Sequence, residues 1–370
     1  MTAIIEARHL QKHFGGSLAV RDISFSVNEG EFLSLLGASG SGKTTTLRII
    51  AGLETPTGGV VLFRGRDITH VPTAQRDMRM VFQDFALFPN LTVWDNVAFG
   101  LRLKINRGRV TEGEIKARVG QFLETVMLSG HAHKMPHQLS GGQRQRVSLA
   151  RALVTDPPVV LFDEPLGSLD ASMRKSMQLE LKRLHRELQK TFIYVTHDQE
   201  EAMGLSDRVA VLQDGSLLQI APPYDIYFRP KSAAVARFVG AANVLDGIVE
   251  STSDGAAIVR IAGNARVAAR DNAASAAVGD AVTVMLRAEQ LRLAPAGTGA
   301  PGSLTARVAE RLFLGEKVRY ELILHGTDTR LTALDTGDRG GFQLGEDLAV
   351  SADAQYVRII GPSQTQGISA

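Results

Sequence analysis

At 370 residues, 44% of them apolar and 22% charged, the chain has material for two globular domains, each with its own core. A net charge of +2 gives no electrostatic pull on nucleic acid, and the absence of cysteine rules out disulfides and thiolate metal sites. No apolar run approaches the roughly 18 residues of a spanning helix, and residues 1–14 lack the apolar centre of a secretory leader. A cytoplasmic protein that meets a membrane only through a partner is therefore expected.

Residues 1–240 read as strands alternating with helices. Phe14, in KHFGG, taken alone reads as a core aromatic. Residues 31–37, EFLSLLG, are a short apolar run ending in glycine, and GKTTTLRIIAG then opens a helix. The turn between them, Gly37, Ala38, Ser39, Gly40, Ser41 and Gly42, followed by Lys43, Thr44 and Thr45, has the form of a phosphate loop. Its glycines let the backbone curl so that successive N–H groups point inward, and the helix N-terminus adds partial positive charge. Lys43 is expected to reach the β and γ phosphates of a nucleotide, and the Thr44 hydroxyl to ligate Mg²⁺.

Further along, Leu139–Gln143, LSGGQ, reads as a helix start, with Ser140 as a cap-like hydroxyl and Gly141 and Gly142 exposing N–H groups to an anion. Residues 158–165, PVVLFDEP, are a buried strand that delivers two carboxylates to the sheet edge. Asp163 is placed for the magnesium shell and Glu164 to polarise the attacking water. Residues 171–190 have the apolar spacing of a helix with one charged face. Residues 191–198, TFIYVTHD, are a further strand ending at His197, which can donate to a γ-phosphate or orient water. Of the other histidines, only His137, just before Ser140, stands beside a motif. Strands that alternate with helices and end in polar residues predict a parallel sheet with its site at the strand C-termini. Lys43 and Glu164 are expected to face a solvated cleft there.

Past about residue 240 the texture changes. Lys317 is the only lysine in 241–370, and that stretch holds 12 basic and 15 acidic residues, which again disfavours a nucleic-acid surface. Alternating segments at 244–251, 281–293 and 317–326 predict the strands of a small barrel or sandwich. Residues 363–370 read as a flexible tail.

The LSGGQ run is where the chain resembles the ATP-binding-cassette family. Ser140 lies 97 residues after Lys43 (140 − 43), a spacing similar to the family's. The resemblance implies an α/β phosphate-loop ATPase core over 1–240 with an inserted helical subdomain at about 88–156. An all-β oligomer-binding-type barrel then follows over 241–362. It further implies that Phe14 stacks on adenine and that Gly37 to Thr45 cradle ATP. Gln83 links the Mg²⁺ site, shared with Thr44 and Asp163, to the helical subdomain. Glu164 and His197 are catalytic. Ser140, Gly141, Gly142 and Gln143 complete the site of an opposite, identical subunit, and Asp170 communicates across that dimer.

The C-terminal runs 238–247, 285–293 and 312–316 resemble the β-domain of importer ATPases, which serve polyamines, ferric iron, 2-aminoethylphosphonate, sulfate and sugars. The wording of residues 174–212 is most similar to the polyamine type. The implied partners are a second copy, two integral-membrane permease subunits and, indirectly, a solute-binding protein, with no nucleic acid. The implied place is the cytoplasmic face of the membrane, as a peripheral protein. A soluble cassette ATPase of translation or DNA repair is disfavoured by the single cassette and the lack of a long heptad run, and an exporter by the C-terminal β-domain.

Overall fold

The computed structural model describes residues 2–105, 110–253, 255–270, 276–299, 302–336 and 341–362; the expected tail, 363–370, lies outside them. The chain divides into two compact units, Met1–Pro223 and Tyr224–Ala370.

The first unit opens with the strands β1 (Ala3–Phe14), β2 (Ser17–Asn28) and β3 (Phe32–Leu36). After them come α1 (Lys43–Ala51), β4 (Gly58–Phe63), β5 (Arg66–Asp67) and β6 (Met78–Val81). Three helices follow, α2 (Val93–Ile105), α3 (Glu112–Thr125) and α4 (Gly141–Leu153). The chain then alternates through β7 (Val159–Asp163), α5 (Ala171–Leu188), β8 (Thr191–Thr196) and α6 (Gln199–Leu205). It closes with β9 (Arg208–Gln213) and β10 (Ser216–Ala221).

These strands form an antiparallel sheet, β2-β1-β4-β5, and a six-stranded sheet, β10-β9-β3-β8-β7-β6, in which every pairing but β10–β9 is parallel. β3, β7 and β8 are buried along their whole length, which is why they are unbroken apolar runs rather than alternating ones. Leu47, Ile49 and Ile50 of α1 share one core with Ile5, Val20 and Val61 of the first sheet and Leu33, Leu35 and Ile193 of the second. In a separate core, Phe192 meets Phe32 and Phe162 edge-on at 5.5 and 5.0 Å, beside Leu181 and Leu184 of α5. Between β6 and β7, the helices α2, α3 and α4 bury Val97, Val119 and Val147 in a small core of their own.

Register levels the strand ends. Leu36 of β3 pairs with Thr196 of β8, and Asp163 of β7 pairs with Val195. Whatever follows these three adjacent strands therefore shares one edge of the sheet.

The second unit starts with two short helices, α7 (Pro223–Phe228) and α8 (Ala233–Phe238). One antiparallel sheet, in the order β13-β12-β11-β14-β20, is built from β11 (Ala242–Ser253), β12 (Ala256–Arg260), β13 (Arg266–Ala269), β14 (Ala281–Arg287) and β20 (Arg358–Pro362). The other, β15-β19-β16-β17-β18, is built from β15 (Leu291–Pro295), β16 (Leu304–Phe313), β17 (Lys317–Leu324), β18 (Arg330–Thr336) and β19 (Asp347–Ala352). Along β16 the period is two: Leu304, Ala306 and Val308 are buried while Thr305 and Arg307 are exposed. Both sheets feed one core, with Val259 and Val284 from one and Ala306, Tyr320 and Leu322 from the other. Buried Asn243 bridges them, donating to the Thr332 carbonyl at 2.9 Å and accepting from the Thr332 N–H at 2.7 Å.

The seam expected near residue 240 falls at 223/224, because Arg287 claims the two short helices for the β unit. This fully buried guanidinium donates to the carbonyls of Tyr227 and Val239, at the C-terminal ends of α7 and α8, and lies 4.1 Å from the Tyr227 ring centroid. The Tyr227 hydroxyl in turn donates to Glu289 at 2.7 Å.

Candidate active site

β3 runs straight into the Gly37–Gly42 turn, and α1 starts at Lys43. Gly42 has φ +92°, a region that any Cβ makes costly, and a Cβ there would also stand 2.5 Å from the Ala19 carbonyl oxygen. A Cβ on Gly37 would collide with the Leu212 carbonyl and the Ser41 hydroxyl. That Ser41 hydroxyl is buried and makes no hydrogen bond. A curled loop with an unspent donor fits a phosphate-bearing ligand.

Lys43 is only 4% exposed, and its ammonium donates to the Gly37 and Ala38 carbonyls at 2.8 Å each. The solvated cleft expected for Lys43 is thus corrected: the loop's own carbonyls hold it inside. Burial pulls its pKa below the ordinary lysine value, while Glu164 and Asp163 pull the other way.

Thr44, on the first turn of α1, donates its hydroxyl to Asp163 at 2.9 Å, and Arg48 stands 3.8 Å from the same carboxylate. Thr45 is half-buried beside it. Burial raises the Asp163 pKa above the usual carboxylate range, opposed first by the Thr44 hydrogen bond and then by the charge of Arg48. Glu164 leaves the strand at φ +46°, left-handed although it is not glycine. The kink aims its carboxylate along the edge, 3.2 Å from Nδ1 of His197 on the neighbouring strand end.

Gln83 is exposed on the loop after β6, its amide nitrogen 3.8 Å from where a Cβ on Gly167 would stand. This loop is tied to α4: Ser148 and Arg151 donate to the Phe85 carbonyl at 3.0 Å each, and Arg151 to the Ala86 carbonyl at 2.6 Å. Phe14 ends β1 at 46% exposure with the Lys12 ammonium 4.8 Å from its ring centroid, so it is a surface aromatic and not the core residue its pattern alone suggests.

Ser140 caps α4 in a capping box: its hydroxyl accepts from the Gln143 N–H at 3.3 Å, and the Gln143 side chain accepts from the Ser140 N–H at 2.9 Å. The Gln143 amide nitrogen meets Nε2 of His131 at 3.0 Å. His131 is thus a histidine that meets this motif, and a separation of twelve positions hides the pairing from a motif reading. Gly141 and Gly142 lie against the loop of Asp170: added Cβ atoms would stand 3.4 Å from Leu169 and 2.6 Å from the Met173 sulfur. Asp170 itself caps α5, accepting from the Met173 N–H at 2.9 Å.

Residues 20–167 match the family model of the ABC transporter, and residues 284–360 match that of the TOBE domain. A Rubrobacter xylanophilus protein named spermidine/putrescine import ATP-binding protein PotA is 48% identical over 96% of this chain and 93% of its own length. This chain belongs to the ABC transporter ATPase family. A relative of the same name from Protochlamydia amoebophila is 43% identical, over 95% of this chain and 88% of its own. Among solved structures, a component of the cbiONQ ABC transporter complex of Clostridium perfringens matches 61% of this chain and 91% of its own, at 29% identity and a TM-score of 0.56. A dimeric bacterial ABC transporter cassette matches 59% of this chain and 98% of its own, at 35% identity and a TM-score of 0.54. The ATP-hydrolysing cassette and the TOBE-type β unit are thus both present. Among the described residues, no helix is long and apolar enough to cross a membrane.

Proposed function

We propose that two copies of this cassette clasp ATP between the phosphate loop of one and Ser140–Gln143 of the other, and that hydrolysis drives uptake of a spermidine- or putrescine-type polyamine. The observation that carries the hydrolytic reading is the levelled sheet edge, where Lys43, Thr44, Asp163, Glu164 and His197 converge from three adjacent strands. The polyamine is supported by the names of relatives aligned over nearly their whole length.

In this reading Lys43 and Ser41 turn their donors to the phosphates, and Phe14 lies under the adenine. Thr44, Asp163 and Gln83 would hold Mg²⁺, which when bound neutralises charge on the β and γ phosphates. Among the described residues no cluster of three or more His, Asp or Glu is placed to hold a metal unaided, which suits an ion that arrives with its phosphates. Glu164 accepts a proton from the attacking water, and His197 fixes that carboxylate and donates to the γ-phosphate. Gln83 responds to the phosphate and moves α4 through Ser148 and Arg151. The helices α2 to α4 pass that movement to two membrane permease subunits, which receive solute from a binding protein, while the cassette stays peripheral on the cytoplasmic face.

Uptake of labelled putrescine and spermidine in cells lacking this chain tests the reading. Uptake should be lost, and restored by the wild-type chain but not by Glu164→Gln. Unchanged uptake in the deletion removes polyamine as the solute.

A further inference from the structure

Arg174 joins the Asp170 loop to the segment that follows His197. It lies one turn into α5, the helix that Asp170 caps. Its Nη2 donates to the carbonyl of Leu169 at 3.1 Å, the residue just before Asp170. The rest of its guanidinium faces the residues that follow His197: Nη1 is 3.5 Å from Asp198 Oδ2, and Nε is 3.9 Å from Glu201 Oε1.

Those two carboxylates are themselves fixed. Asp198 caps α6, accepting from the Glu201 N–H at 3.1 Å. The buried Glu201 carboxylate accepts from the hydroxyls of Tyr194 at 2.8 Å and Thr196 at 2.7 Å, and the Thr196 hydroxyl accepts from the Asp198 N–H at 2.9 Å. His197 is therefore held on both sides, by Thr196 and Asp198, within a network whose positive charge comes from Arg174.

The joint has slack. The Nε of Arg174 is buried and makes no hydrogen bond, its gap to Glu201 being roughly 1 Å wider than a normal one. A cavity of about 20 Å³, room for one water, lies between Arg174, Glu164 and His197. A shift of about 1 Å at the start of α5 would close the contact to Glu201, and a smaller one would shorten that to Asp198. Burial raises the Glu201 pKa, opposed first by the Thr196 and Tyr194 hydroxyls and last by the charge of Arg174.

We propose that Arg174 is a positioning residue that couples the Leu169–Asp170 loop to His197, so that docking of a second copy against Asp170 sets the orientation of His197 at the γ-phosphate. The inference rests on the site proposed above. Lysine cannot substitute fully, because a point charge cannot serve one carbonyl and two carboxylates in a planar fork.

The test is steady-state ATP hydrolysis by the full chain for wild type, Glu164→Gln, Arg174→Gln, Arg174→Lys, Asp198→Asn and the Arg174→Gln/Asp198→Asn double variant. Arg174→Gln should lower kcat about tenfold and bring the Hill coefficient for ATP towards one, as expected for lost coupling. KM should stay within about twofold, since Arg174 touches nothing on the phosphate loop. Arg174→Lys should recover part of kcat, and the double variant should be no slower than Arg174→Gln alone. Asp198→Asn keeps the helix cap through Oδ1 and probes the same contact should Arg174→Gln fold poorly. Wild-type kcat and Hill coefficient in Arg174→Gln, or losses that simply add in the double variant, overturn the coupling while a stalled Glu164→Gln leaves the site intact. A Glu164→Gln chain that turns over like wild type overturns the site, and the coupling with it.

Discussion

Glu164 sits at φ +46° and Lys43 is sealed under its own loop, two local costs that neighbouring groups sustain. The Glu164 N–H donates to the Val195 carbonyl at 3.1 Å and its carbonyl accepts from the Gly167 N–H at 3.2 Å, so the kink is pinned on both sides. Lys43 donates to two carbonyls that it would exchange for phosphate oxygens. Lys43→Ala should therefore weaken ATP binding about tenfold to a hundredfold, from loss of charge-assisted bonds worth roughly 1.5–3 kcal/mol. Nucleotide titration of the full chain checks this, and undiminished affinity would contradict the loop's role. The loop was legible in the sequence because its function lies in consecutive residues whose glycines dictate the curl. The burial of Lys43 was not, since it depends on what folds over the loop. The His131–Gln143 contact was hidden for the same reason, as was the Met173 sulfur that crowds position 142.

At the scale of elements, the apolar runs of β3, β7 and β8 announced central parallel strands, and the patterned face of α5 announced a surface helix. The ownership of α7 and α8 was not legible. They follow the cassette in sequence, and a buried arginine some fifty to sixty residues later draws them to the β unit. The bridge at Asn243 is similarly remote, reaching Thr332 across 89 residues. Asn243→Ala leaves the Thr332 N–H and carbonyl without those partners, at a cost of about 2–3 kcal/mol for buried polar groups. Hydrogen exchange should then show loss of protection along β11 and β18 with the cassette strands unchanged. Equal protection in both proteins would contradict the bridge.

For the whole molecule, the proposed function gives each copy two half-sites. The phosphate loop, Glu164 and His197 share one sheet edge, while Ser140–Gln143 lie against the Asp170 loop. In the proposed reading a head-to-tail pair completes both. The balanced charge and single cassette already pointed away from nucleic acid, but the pairing itself reached the sequence only through the family's pattern, because no chain's own residues name their partner. The natural absence of cysteine makes the pairing directly measurable. In a Glu164→Gln background, chains carrying Ser39→Cys are mixed with chains carrying Ser140→Cys, both exposed positions, and oxidised with or without Mg²⁺ and ATP. Mixed disulfide dimers should form with ATP and not without nucleotide; no mixed dimer at saturating ATP would contradict a shared site.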